Sequence, residues 1–121
     1  MTPREATEAV FDAWERSDAD AVAGLFAADG RYEDPLFPEA VVGPEAICEA
    51  VAPAMEEIRN LRIPVRLIVE TGEIAICEAS FLCELASGDG RFDFDFAMTV
   101  EMRDGKIARL TEYFDTRDLV P

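Results

Sequence analysis

The sequence predicts an α+β domain, with three helices packed against one face of a curved antiparallel sheet. Three observations carry this. Phe92, Phe94, Phe96, Met98, Val100 and Met102 fall at every second position, the period of a strand with one buried face. The first half of the chain instead repeats its apolar residues at helical spacing, behind recognisable start signals. The strand-like stretches of the second half are joined by short turns, Thr71-Gly72, Gly88-Asp89-Gly90 and Asp104-Gly105, which makes neighbouring strands antiparallel.

In chain order, Thr2-Pro3-Arg4-Glu5 is a helix start, with Thr as N-cap, Pro at the first helical position and Glu placed for a capping box. Ala6, Ala9, Val10, Ala13 and Trp14 form the stripe that follows. Ser17 or Asp18 caps a second short helix with Val22, Leu25 and Phe26 facing inward, and Asp29-Gly30 is expected to end it. Arg31–Asp34 is a short extended piece broken by Pro35, with Tyr32 and Asp34 on one side. Leu36–Val42 reads as a loop with an apolar lining. Gly43-Pro44-Glu45 opens a third helix that buries Ile47, Val51, Ala54, Met55 and Ile58. Ile63, Val65, Leu67 and Val69 alternate as a strand, at an edge or beginning at Pro64. Residues 74–85 form another, with a bulge expected near Glu78, because the apolar parity shifts from Ile74 and Ile76 to Ala79, Phe81, Cys83 and Leu85. Asp104-Gly105 suits a tight hairpin that needs positive φ at both central residues. The return strand places Ala108, Leu110, Glu112 and Phe114 on one face.

The 121 residues make one domain, 1–121, half of them hydrophobic. Twenty-six acids against eleven bases give a formal charge of −15, which argues against nucleic acid and anionic membranes as partners and reads as a solvated acidic surface. Histidine is absent, so a general base is a carboxylate, Tyr, Lys or Cys. Cys48, Cys77 and Cys83 have neither zinc-site spacing nor an even count and read as small buried residues of a reduced protein. With no signal-peptide pattern and no apolar run of membrane length, the expectation is a cytoplasmic protein. No motif implies a metal or organic cofactor.

Glu112 stands in an otherwise apolar row. It is either a second pocket carboxylate, able to donate as a neutral acid or to share a proton, or a strand-end Glu paired with Arg62 or Arg66. Asp34 is either a base whose apolar surroundings strengthen it, or the opener of an Asp-Pro turn. Tyr32 is a hydroxyl donor on the same face, or a core aromatic with its hydroxyl at the surface. Trp14 lines a pocket or belongs to the core. The remaining expected pocket walls are Phe37, Met55, Phe81, Phe96, Met98 and Phe114, and such walls want a flat, apolar, polycyclic or terpenoid-like ligand. Asp93 and Asp95 alternate with the phenylalanines and belong to the outer face of the sheet, meeting water or crossing a dimer interface.

Leu25-Phe26-Ala27-Ala28-Asp29-Gly30, then Tyr32-Glu33-Asp34-Pro35, then Gly43-Pro44-Glu45-Ala46-Ile47 resemble the first half of the nuclear transport factor 2-like (NTF2-like) superfamily, in particular its ketosteroid isomerase and SnoaL-like polyketide cyclase branches. Asp104-Gly105-Lys106-Ile107 and Glu112-Tyr113-Phe114-Asp115 look like the end of SnoaL-like proteins and of limonene epoxide hydrolase. The resemblance spans nearly the whole chain. It implies a cone-shaped half-barrel with an apolar pocket between helices and sheet, commonly in a homodimer. It also implies cofactor-independent acid–base chemistry on a small hydrophobic ketone, as an isomerase or cyclase. Asp34 matches the isomerase's base, with Glu112 and Tyr32 left to stabilise or reprotonate an enolate. The isomerase's two oxyanion donors fall near Val10 and Met98, which cannot donate. The epoxide hydrolase's Arg and Asp fall near Ala79 and Phe81, leaving only Glu112 as a match. The rival reading is a non-catalytic module that binds a ligand in the same pocket or dimerises through the same sheet.

Overall fold

The computed structural model describes residues 1–119. Helix α1 (Pro3–Glu15) starts as its sequence dictates: the Thr2 hydroxyl accepts from the Glu5 N–H and the Glu5 carboxylate accepts from the Thr2 N–H. It ends in a Schellman turn. Ser17 takes a left-handed conformation, its N–H bonds Trp14 O, and the Asp18 N–H bonds Ala13 O. Asp18 then caps the five-residue α2 (Ala19–Ala23) through the Ala21 N–H. Gly24 closes that helix, so Asp29-Gly30 does not end it, contrary to expectation.

Instead β1 (Phe26–Glu33) runs straight through Asp29-Gly30, with an irregularity between Phe26 and Arg31. Gly30 is required there by space: a Cβ would lie 2.8 Å from Ile107 O and 3.0 Å from Ala27 O. The loop beyond Asp34 ends in a two-residue strand β2 (Val41–Val42) paired to Arg31 and Tyr32, and α3 (Pro44–Glu56) follows. Ala54 is exposed rather than part of the buried face of α3, and Ile58 begins an unexpected strand, β3 (Ile58–Arg62). The meander is β4 (Val65–Thr71), β5 (Ile74–Leu85), β6 (Arg91–Arg103) and β7 (Lys106–Tyr113). Asp104 and Gly105 both have positive φ in the last hairpin.

The seven strands form one curved, unclosed sheet in the order β2-β1-β7-β6-β5-β3, with β4 beside the other half of β5. The sheet is mixed rather than purely antiparallel, because β1 pairs with β7 in parallel while every other pairing is antiparallel. The longest ladder, β5 with β6, is unbroken from Ile74↔Glu101 to Glu84↔Arg91. The irregularity expected near Glu78 is therefore not in β5 itself: it lies opposite, in β4, where the register shifts between Val65 and Leu67. Ala75, Cys77 and Ala79 are the inward residues of β5, and the larger Ile74 and Ile76 point outward. These small side chains oppose Val100, Met98 and Phe96 on β6, so the concave face stays deep.

Onto that face α1 lays Ala6, Val10 and Ala13, and α3 lays Ile47, Val51 and Met55, all buried. Each such apolar side chain larger than Ala contributes about 1.5–3 kcal/mol on leaving water. The outer face differs. Leu67, Val69, Ile76 and Tyr113 are about half exposed on it, so the alternation that marked β4 points mainly at solvent. Asp93 and Asp95 lie on the same face, and Asp95 accepts from Ser80 Oγ at 2.7 Å.

Candidate functional site

Between α1, the end of α3 and the inner face of the sheet lies a cavity of about 250 Å3. Eight of the chain's eleven aromatic residues line it. Their rings support one another: Phe81 stacks on Phe94 at 5.2 Å, Trp14 meets Phe81 edge-on at 6.1 Å, and Phe94 packs on Phe114 at 5.0 Å. Every polar side chain on the wall is acidic or phenolic: Tyr32, Asp34, Glu57 and Glu112. Exposed Leu36, Ala54 and Glu57 mark the mouth.

Three of these groups converge. Glu112 comes from β7 and sits in register with Met98 on the inner face of the sheet. Tyr32 comes from the neighbouring β1, 2% exposed, its ring stacked on Phe26 at 5.8 Å and edge-on to Phe37 at 5.5 Å. Its hydroxyl donates to Glu112 Oε1. The Trp14 indole, on α1, also faces that hydroxyl. Asp34, just past β1, lines the same wall. Its Oδ1 accepts the Leu36 N–H at 2.8 Å, so the Asp-Pro turn and the pocket carboxylate are one residue with two tasks.

The pocket shifts the titration of Glu112. Burial raises its pKa well above the usual glutamate value, the facing Asp34 carboxylate raises it further, and the Tyr32 hydroxyl pulls the other way. Burial thus favours the neutral acid of Glu112 over a wider pH range than for an ordinary Glu. Tyr32 is held in its phenol form by burial first and by Glu112 second. Cys77, behind Glu112 on the inner face, is pushed up to about 11 by burial. Neither arginine considered as a partner reaches Glu112, and Arg66 pairs with Glu78 across the outer face.

Of the walls expected from the sequence, Trp14, Phe81, Phe96 and Phe114 face the cavity. Phe37, Met55 and Met98 do not. Phe37 backs Tyr32, and Met98 and Met55, 1% and 4% exposed, belong to the core outside the cavity wall. Phe11, Ile63 and Phe92 line it without having been anticipated. Phe92 and Phe94 were legible as inward strand residues, whereas Phe11 lies off the helical stripe and Ile63 in the β3–β4 connection. Among the described residues no group of three or more His, Cys, Asp or Glu is arranged to hold a metal ion. No helix among them is long and apolar enough to cross a membrane.

The model of the SnoaL-like domain matches residues 7–110. The chain belongs to the SnoaL-like domain family. No functionally curated protein matches it. Among solved structures, this SnoaL-like domain is similar to a ketosteroid isomerase-like protein of Catenulispora acidiphila, crystallised in complex with trimethylamine. That pair is 25% identical, covers 95% of this chain and 88% of that one, and has a TM-score of 0.83. A Pseudomonas putida protein provisionally assigned as a polyketide cyclase is 20% identical over 99% and 96% of the two chains, TM-score 0.86. A limonene epoxide hydrolase-like enzyme of Mycobacterium tuberculosis is 23% identical over 94% and 83%, TM-score 0.78. At such identities the last two show the NTF2-like fold alone, which hosts many chemistries.

Proposed function

We propose that this SnoaL-like domain is an enzyme of carbon-acid chemistry, moving a proton beside the carbonyl of a small hydrophobic ketone in an isomerisation or cyclisation. The observation that carries the reading is the pair of carboxyl groups, Asp34 and Glu112, on the wall of one aromatic-lined cavity, with burial raising the Glu112 pKa. In this reading the Asp34 carboxylate takes the α-proton, and the electrons of the C–H bond pass to the carbonyl oxygen. The Glu112 acid donates a hydrogen bond to the developing enolate, as a neutral carboxylic acid in an apolar site can. Tyr32 fixes Glu112 rather than reaching the oxygen itself, because its hydroxyl is committed to Oε1. Asp34 then returns the proton to another carbon. No cofactor enters these steps. A cavity of about 150 Å3 holds one benzene, so about 250 Å3 suits a one- or two-ring ketone, a larger one extending through the mouth.

The test is solvent-deuterium exchange at the α-carbon of cyclic and bicyclic ketones, read by NMR. Wild type should exchange them faster than buffer. Asp34→Asn, which keeps the acceptor for the Leu36 N–H, should lose about 100-fold or more. Exchange that survives intact in the variant defeats the assignment of Asp34.

One observation favours a binding module instead. Val10 on the wall and the fully buried Met98 leave the usual oxyanion-donor positions apolar. Ligand binding without exchange of any ketone would select that reading. In either case we propose a homodimer through the outer sheet face, where Leu67, Val69, Ile76 and Tyr113 lie exposed beside charges of both signs, Arg66 with Glu78 and Arg109 with Glu33 and Glu101.

A further inference from the structure

None of the eleven Lys and Arg residues reaches the cavity wall, while Glu112, half-buried Asp34 and exposed Glu57 all line it. The rest of the lining is apolar or phenolic, and just over half of it is aromatic rings. The faces of such rings are negative, and a cation within about 6 Å of a ring centroid gains roughly 2 kcal/mol when desolvated. Phe81, Phe94 and Phe114 lie within 5.0–5.2 Å of one another in sequence across the wall, and Trp14 continues the row. The formal charge of −15 adds a field that draws cations and repels anions at the entrance. We propose that the pocket takes organic cations: a tertiary or quaternary ammonium group on an apolar one- or two-ring body, in preference to its neutral isostere and to the exclusion of carboxylates.

The inference concerns what the pocket admits, and it goes beyond the carbon-acid reading. A protein that holds such a cation but exchanges no ketone refutes the chemistry and keeps the ligand class. If both hold, the substrate is an aminoketone. The acids also set a pH signature. The ionisable groups facing Glu112 are Tyr32 from β1, Asp34 just past it and Cys77 from β5, with the Trp14 indole beside Tyr32 and no Lys or Arg among them. A bound cation therefore favours the ionised form of Glu112. Its affinity rises with pH and binding releases protons, whereas a neutral ligand shows neither effect.

The experiment is calorimetric titration with three probes: trimethylphenylammonium, its uncharged isostere tert-butylbenzene, and phenylacetate. The cation should bind about tenfold or more tightly than tert-butylbenzene, and phenylacetate should not bind. Phe81→Leu, which keeps an apolar wall, should weaken the cation several-fold and leave tert-butylbenzene unchanged. Equal or tighter binding of tert-butylbenzene, comparable binding of phenylacetate, or no binding of the cation at millimolar concentration overturns the proposal.

Discussion

Tyr32 and Glu112, eighty positions apart in the sequence, are joined by a hydrogen bond from the phenol to Oε1 across the parallel pair β1 and β7. That bond lowers the Glu112 pKa against burial and against Asp34, which both raise it. Tyr32→Phe should therefore move the Glu112 limb of a pH–rate profile to higher pH, a change that a purely structural role would not make. It should also lower ketone exchange about tenfold, and cost about 1–3 kcal/mol by leaving Oε1 without its donor. An unmoved limb would remove Tyr32 from the positioning of Glu112.

Glu112 itself links stability to pH. Its pKa is raised on folding, so the folded chain holds a proton that the unfolded chain has lost between the ordinary value near 4.5 and the folded value. The stability from this group is complete below the ordinary value and is lost as pH rises through the folded one. Glu112→Gln mimics the neutral acid at every pH. Its denaturant midpoint should match wild type near pH 4 and exceed it at pH 8, by about 1–2 kcal/mol, while ketone exchange falls. A difference independent of pH would show that Glu112 is not held neutral.

Ile76 and Val69 face each other on the outer side of the β4–β5 pair, each about half exposed. If that face meets a second copy, Ile76→Asp should convert the dimer to a monomer in sedimentation while the far-UV spectrum stays unchanged. The inner cavity and its ligand affinity should persist. A wild-type chain that sediments as a monomer at high concentration would defeat the dimer proposal.

Gly30 tests the crossing of β1 past β7. The added methyl of Gly30→Ala meets backbone oxygens of Ile107 and Ala27, which can yield only by moving the strands. Thermal unfolding should report a loss of about 1–3 kcal/mol. A neutral result would mean that β1 can shift away from β7 at little cost.

Local signals were legible because the chain states them within a few residues. The Thr2–Glu5 capping box, the Asp18 cap, the Asp104-Gly105 turn and the two-residue period of β6 each need no distant partner. The misplaced bulge in β5 has an instructive cause. Ile74 and Ile76 are larger than Ala75 and Cys77, but size does not decide burial in β5, because its inner row is small where it sits opposite Val100, Met98 and Phe96. Likewise Val65, Leu67 and Val69 alternate correctly for a strand, yet alternation cannot say which face a second layer covers.

By itself the sequence determined the three helices, the long strands of the meander, the α+β class and the presence of two carboxylates and a tyrosine on inward-facing rows, but not β2, β3 or the full length of β1. Periodicity, caps and turn residues are short-range properties of the chain. Only the tertiary structure decided that β1 pairs in parallel with β7, that Phe37, Met55 and Met98 stand behind the pocket wall, and that Glu112 is a carboxyl group whose pKa burial raises. Those outcomes depend on distances between residues far apart in the chain, where burial and neighbouring charge set the chemistry of an acid that composition alone leaves ordinary.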